Sequence, residues 1–126
     1  MELREAILGR RSIRFYEDKP ITKENINDLI NMGINAPTAS NTQPWAFVVV
    51  EDKQFMQQWS EQSKRMLLEE MDGKPHLQKY IGMMNKKDFN IFYDAPCLLL
   101  IYGNTDFPSY VLDCSLAAQN IMLTAH

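Results

Sequence analysis

Two stretches of this chain read as strands, Trp45–Val50 (WAFVVV) and residues 97–102 (CLLLIY). Both are apolar at successive rather than alternate positions, the pattern of strands covered on both faces. Two strands do not make an independent sheet with two covered faces. Such a chain is expected to find sheet neighbours in its weaker segments, in another chain, or in residues that it does not contain.

The rest of the chain reads mainly as helix. Leu3, Ala6 and Ile7 recur at helical spacing, which predicts a short helix over residues 2–9 loosened by Gly9. Thr22 is a good N-cap, with Ile21 and Ile26 at the staple positions around it. Ile26, Leu29, Ile30 and Ile34 follow as one apolar face, and Pro37 stops that helix near Asn35. Asp52 is placed to cap a third helix with Phe55, Trp59, Met66 and Leu67 on its apolar side. Residues 72–75 (DGKP) read as a turn and residues 76–87 as a weaker helix. A last helix is expected from about Ser109, and it runs to His126 with no glycine, asparagine or proline stop.

Composition narrows the class. A chain of 126 residues without repeats or low-complexity tracts fits one domain, 1–126, large enough for a core. The net charge of −3 argues against a broad nucleic-acid-binding surface but not against a local cationic pocket. No secretory h-region and no membrane-span-length apolar run is visible, so the cytoplasm is the default location, with no membrane partner. Cys97 and Cys114 suit two buried thiols better than a disulfide scaffold. His76 and His126 lie too far apart in the sequence to suggest a metal site, and Met83 and Met84 suit core filling.

Two short segments carry chemistry. In RRSIR, Arg10, Arg11 and Arg14 surround the hydroxyl of Ser12, a set of donors that suits a phosphate; it equally suits a solvated basic helix end. In APTASNTQPW, Thr38, Ala39 and Ser40 are too small to fill space, so a flat ligand can approach the backbone closely. Asn41 and Gln43 offer paired donors and acceptors of the kind a pyrimidine edge needs. The same composition also makes an ordinary turn before a strand.

Taken together, RRSIR, then APTASNTQPWAFVVV, then DAPCLLLIYG, then DCSLAAQNIMLTAH closely resemble the nitroreductase family of FMN-dependent oxidoreductases over essentially the whole chain. The resemblance implies an α+β fold with a central sheet flanked by helices, dimeric, whose C-terminal part this chain lacks. It implies that Arg10 and Ser12 hold the FMN phosphate with Arg11 beside them, and that Arg14 reaches the N1/O2 side of the ring. Pro37, Thr38, Ala39 and Asn41 would come from the partner subunit to line the flavin, with Gln43 close behind; Trp45 is expected in the core. It implies no catalytic side chain: hydride passes from NAD(P)H to the flavin and on to a nitroaromatic, a quinone or a similar acceptor. The last helix would join two copies as a homodimer. The alternative expectation is a shortened chain without turnover, acting as a flavin-binding or dimerisation module.

Overall fold

The computed structural model describes residues 2–71 and 73–126. The elements run α1 (Leu3–Gly9), α2 (Lys23–Gly33), β1 (Trp45–Val50), α3 (Lys53–Glu70), α4 (Ile81–Met84), β2 (Leu98–Gly103) and α5 (Tyr110–Thr124). Contacts group the chain into two compact units. One comprises residues 1–13, 20–49 and 99–126; the other comprises residues 14–19 and 50–98.

The first unit is built on α5 packed along α2. Thr22 caps α2 as expected, its side chain accepting from the Asn25 N–H. Ile26 is buried and Leu29 and Ile30 are half-buried, but Ile34 is 41% exposed. The expected apolar face therefore shifts, and Gly33 sits tight against α5. A Cβ there would lie 2.8 Å from Ile121 Cδ1, so the missing side chain lets the helices meet. Ala117 and Ile121 bury the facing stripe of α5, and Asn120 Nδ2 donates to the Met32 carbonyl at 3.2 Å. At the far end of α5, Gly9 of α1 lies against His126: a Cβ on Gly9 would sit 2.6 Å from its Nε2.

β1 and β2 pair as a two-stranded sheet among the described residues. The Asn104 N–H, just past β2, donates to the Pro44 carbonyl, just before β1, at 2.7 Å. The end of one strand thus lies beside the start of the other, and the pair runs antiparallel. Along β1, Ala46 and Val48 are exposed while Trp45 and Phe47 are half-buried. Among the described residues, only one face of β1 is covered.

In the second unit, Asp52 caps α3 by accepting from the Phe55 N–H at 2.9 Å. The buried face of α3 is not the expected aromatic one. Met56, Ser60 and Lys64 are buried at i, i+4 and i+8, whereas Phe55 and Met66 are 43% and 55% exposed. Polar side chains are tolerated there because each has a partner. Ser60 Oγ accepts from the Ile91 N–H, and Lys64 Nζ donates to the carbonyls of Lys86 and Phe89. The expected helix over 76–87 is a 3₁₀ segment, Pro75–Tyr80, followed by the single turn α4. Of the expected 72–75 turn, Asp72 lies outside the described residues and Gly73 has φ +79°. Both cysteines are free and half-buried rather than buried. No helix among the described residues is long and apolar enough to cross a membrane.

Candidate functional site

The basic segment leaves the end of α1. The Arg10 N–H closes the helix on the Ala6 carbonyl at 3.0 Å. Arg11 Nη1 then turns back onto the Leu8, Gly9 and Arg10 carbonyls at 2.7, 3.0 and 2.9 Å. Arg11 therefore satisfies the orphan acceptors of a helix C-terminus. Arg10 is half-buried and Ser12 is exposed. Arg14 belongs to the second unit, where its guanidinium carbon lies 5.8 Å from the Tyr93 ring centroid, within cation–π range.

The small-residue segment is a tight platform in the first unit. Thr38 is extended, at φ −134° and ψ 151°, and residues 39–41 form a 3₁₀ turn. Ser40, Asn41 and Gln43 then take φ values of +51°, +55° and +47°. Few non-glycine residues adopt this conformation, and small or amide side chains tolerate it best. The turn is closed locally. The Asn41 and Thr42 N–H groups donate to the carbonyls of Thr38 and Ala39, and Gln43 N–H donates to Thr38 Oγ1 at 3.2 Å. Pro37, Ala39, Ser40, Asn41 and Gln43 are exposed, and Thr38 is half-buried.

Asp113 anchors this platform to α5, a link the sequence reading missed. Its Oδ1 accepts the Ala39 N–H at 3.2 Å, while its Oδ2 and Thr42 Oγ1 are buried without a hydrogen-bond partner among the described residues. The signal available in the sequence is that Asp113 is the lone charged residue in the α5 run YVLDCSLAAQNIMLT. Next to the platform, Gln43, Pro44 and Trp45 face Tyr102, Gly103 and Phe107 across an open cleft of about 360 Å³. The second unit has its own cleft of about 350 Å³, lined by Tyr16, Asp18, Lys53, Gln57, Asn90 and Asp94 among others, and none of the expected site residues lines it.

Arg10–Ser12 and the platform sit by different ends of α5. Gly9 abuts His126 just past the helix, whereas Ala39 is tied to Asp113 in its first turn. At 1.5 Å per residue, these ends are roughly 20 Å apart. Guanidinium and hydroxyl donors suit a phosphate. An exposed backbone with little side-chain bulk suits a flat ring.

The family model described as "Nitroreductase family" matches residues 7–126. A protein of Methanothermobacter thermautotrophicus, named "Putative NADH dehydrogenase/NAD(P)H nitroreductase", is 30% identical; the alignment covers 100% of this chain and 56% of that protein. A Bacteroides fragilis nitroreductase structure with bound FMN superposes with a TM-score of 0.84 at 25% identity, covering 99% of this chain and 64% of the other. A shorter match, 43% identical, joins 40% of this chain to 18% of iodotyrosine deiodinase 1 of Rattus norvegicus. The chain thus spans a little over half the length of the archaeal relative. The α+β architecture expected from the motifs agrees with the structural match, and from residue 7 to its last residue this chain belongs to the nitroreductase family.

Proposed function

We propose that this chain is the flavin-binding part of an FMN-dependent NAD(P)H oxidoreductase, a single nitroreductase-like domain that works as a homodimer. The observation that carries the reading is the pairing of the Arg10–Ser12 donor set with the left-handed platform 37–43, in a chain whose fold matches an FMN-bound nitroreductase. Their separation along α5 favours a site shared by two copies, the basic segment from one and the platform from the other.

Arg10 and Ser12 bind the phosphate, with Arg11 bracing the helix end beside them. Arg14 places its charge at the N1/O2 side of the ring. Pro37, Thr38, Ala39 and Asn41 of the second copy line the ring, and Gln43 stands close behind. FMN held there would supply the hydride chemistry between NAD(P)H and an oxidised acceptor. The side chains bind, orient and shield; none is assigned a proton-transfer role. α5 is apolar on most of its surface, with Val111, Leu112, Leu116 and Met122 exposed in the single chain, and it serves as the dimer helix. We place the protein in the cytoplasm.

The test is FMN titration of the purified protein followed by absorbance and fluorescence. NADH and NADPH oxidation is then measured with a nitroaromatic, a quinone and a halogenated tyrosine as acceptors. Saturable FMN uptake with turnover of the first two supports the reading. Turnover confined to the halogenated tyrosine moves the substrate class to the deiodinases. Uptake without turnover reduces the chain to a flavin-binding or dimerisation module, and no uptake refutes the proposal.

A further inference from the structure

We propose that Asp113 is a positioning residue for the flavin platform: from the first turn of α5, its carboxylate holds residues 38–43 in the shape that receives the ring. The inference rests on the flavin-binding reading above. Asp113 is 4% exposed, and its bond from the Ala39 N–H joins residues 74 apart in the sequence. A carboxylate buried with one oxygen unpartnered is an unfavourable choice for a helix that otherwise carries no charge. An apolar residue would pack there more favourably but could not hold a backbone N–H.

The platform is a segment that needs holding. Three of its residues, Ser40, Asn41 and Gln43, lie in left-handed backbone without being glycine. Its internal bonds, Asn41 N–H to the Thr38 carbonyl, Thr42 N–H to the Ala39 carbonyl and Gln43 N–H to Thr38 Oγ1, shape the turn without attaching it to anything. Among the described residues, two hydrogen bonds attach it. Ala39 is tied to Asp113 at one end, and the Pro44 carbonyl is tied to the Asn104 N–H at the other. The platform is thus suspended between α5 and the end of β2, and Asp113 is its side-chain anchor. A purely local role, an acid near a helix N-terminus, would require no bond to Ala39.

Three variants of the full chain separate these roles. Asp113→Ala deletes the acceptor. Asp113→Asn keeps an acceptor oxygen in the same place. Ala39→Pro deletes the donor without touching α5, at a position whose preceding residue is already extended. The readouts are FMN dissociation constant by fluorescence and amide hydrogen exchange over residues 38–43. Asp113→Ala and Ala39→Pro should each weaken FMN binding by about tenfold or more, the loss of one charge-assisted bond, and Asp113→Ala should speed exchange at Ala39. Asp113→Asn should stay within about threefold of wild type on the same scale. Wild-type affinity in Ala39→Pro, or an Asn variant as impaired as the Ala variant, overturns the proposal. If Asp113→Ala does not fold, the other two variants decide. If the wild type takes up no FMN, the flavin reading fails, and Ala39 exchange in Asp113→Ala alone decides: unchanged exchange refutes the anchor and faster exchange upholds it.

Discussion

Gly33 and Ile121 meet with no room for a side chain between them: a Cβ on Gly33 would stand 2.8 Å from Ile121 Cδ1 and 2.9 Å from its Cγ1. Replacing glycine by alanine inside a helix ordinarily gains about 0.5–1 kcal/mol. Overpacking a tight contact costs about 1–3 kcal/mol. The second effect should win, so Gly33→Ala is expected to lower the urea unfolding free energy by about 1 kcal/mol. Adding Ile121→Ala, which makes space, should reduce the penalty of the Gly33 change. A Gly33→Ala protein more stable than wild type would mean that α5 yields easily.

Lys64 is 4% exposed and donates to the Lys86 and Phe89 carbonyls at 3.1 and 2.8 Å while pairing with Glu61 at 2.9 Å. Lys64→Met keeps the stem and removes all three bonds. Destabilisation of roughly 1.5–3 kcal/mol is expected, the range for hydrogen bonds to a charged group. Proteolysis between residues 85 and 91 should quicken in parallel; an unchanged cleavage rate would show that this segment is held by other contacts.

The arginines of RRSIR should not be equivalent. Arg11 is committed to the last carbonyls of α1. Arg10→Ala is therefore expected to weaken FMN binding by about tenfold to a hundredfold, and Arg11→Ala by less. Arg14→Ala should weaken binding and lower the flavin reduction potential, since a cation near N1 stabilises the reduced ring. Potentiometry on the variant holoprotein checks the last point, and an unchanged potential removes Arg14 from that role.

Burial pushes the Cys97 and Cys114 thiols up, and the carboxylates of Glu51 and Asp113 respectively push them further. A raised thiol pKa favours the protonated form in the folded state. Alkylation of the native protein at pH 8 should thus be slower than alkylation of the unfolded chain. The stability linked to these thiols is whole at neutral pH and is lost as pH rises above about 8.5, the ordinary thiol value, toward the higher folded value. Urea midpoints measured from pH 7 to 10 should fall over that range, and less so in the Cys97→Ser, Cys114→Ser double variant. Equal slopes in the two proteins would assign the fall to other groups.

Local rules made several elements legible. Thr22 and Asp52 act through their own helix ends, and the β-branched run of β1 is plain in the sequence. What stayed hidden depends on partners distant in sequence. Ser60 and Lys64 are bonded by residues 86–91, and nothing near them in the sequence points to those partners. The tight contact of Gly33 with Ile121 likewise joins residues far apart in the sequence. Thr38, Ala39 and Asn41 stood out by their small or amide side chains, yet nothing near them in the sequence points to Asp113 as their anchor.

Two bonds within the first unit, Ala39 to Asp113 and Asn120 to Met32, join residues 74 and 88 apart. Most of the intervening chain, residues 50–98, belongs to the other unit. On a ribosome, α2 and the platform emerge long before α5 can reach them, while residues 50–98 already have their partners for α3. Closing such long loops is slow, because the ordering entropy is lost before the contacts form. Residues 53–70 are therefore expected to settle before α2 and α5 come together. Pulse-labelling exchange during refolding should find amides of residues 53–70 protected before those of residues 23–33, and the reverse order would refute this sequence of events.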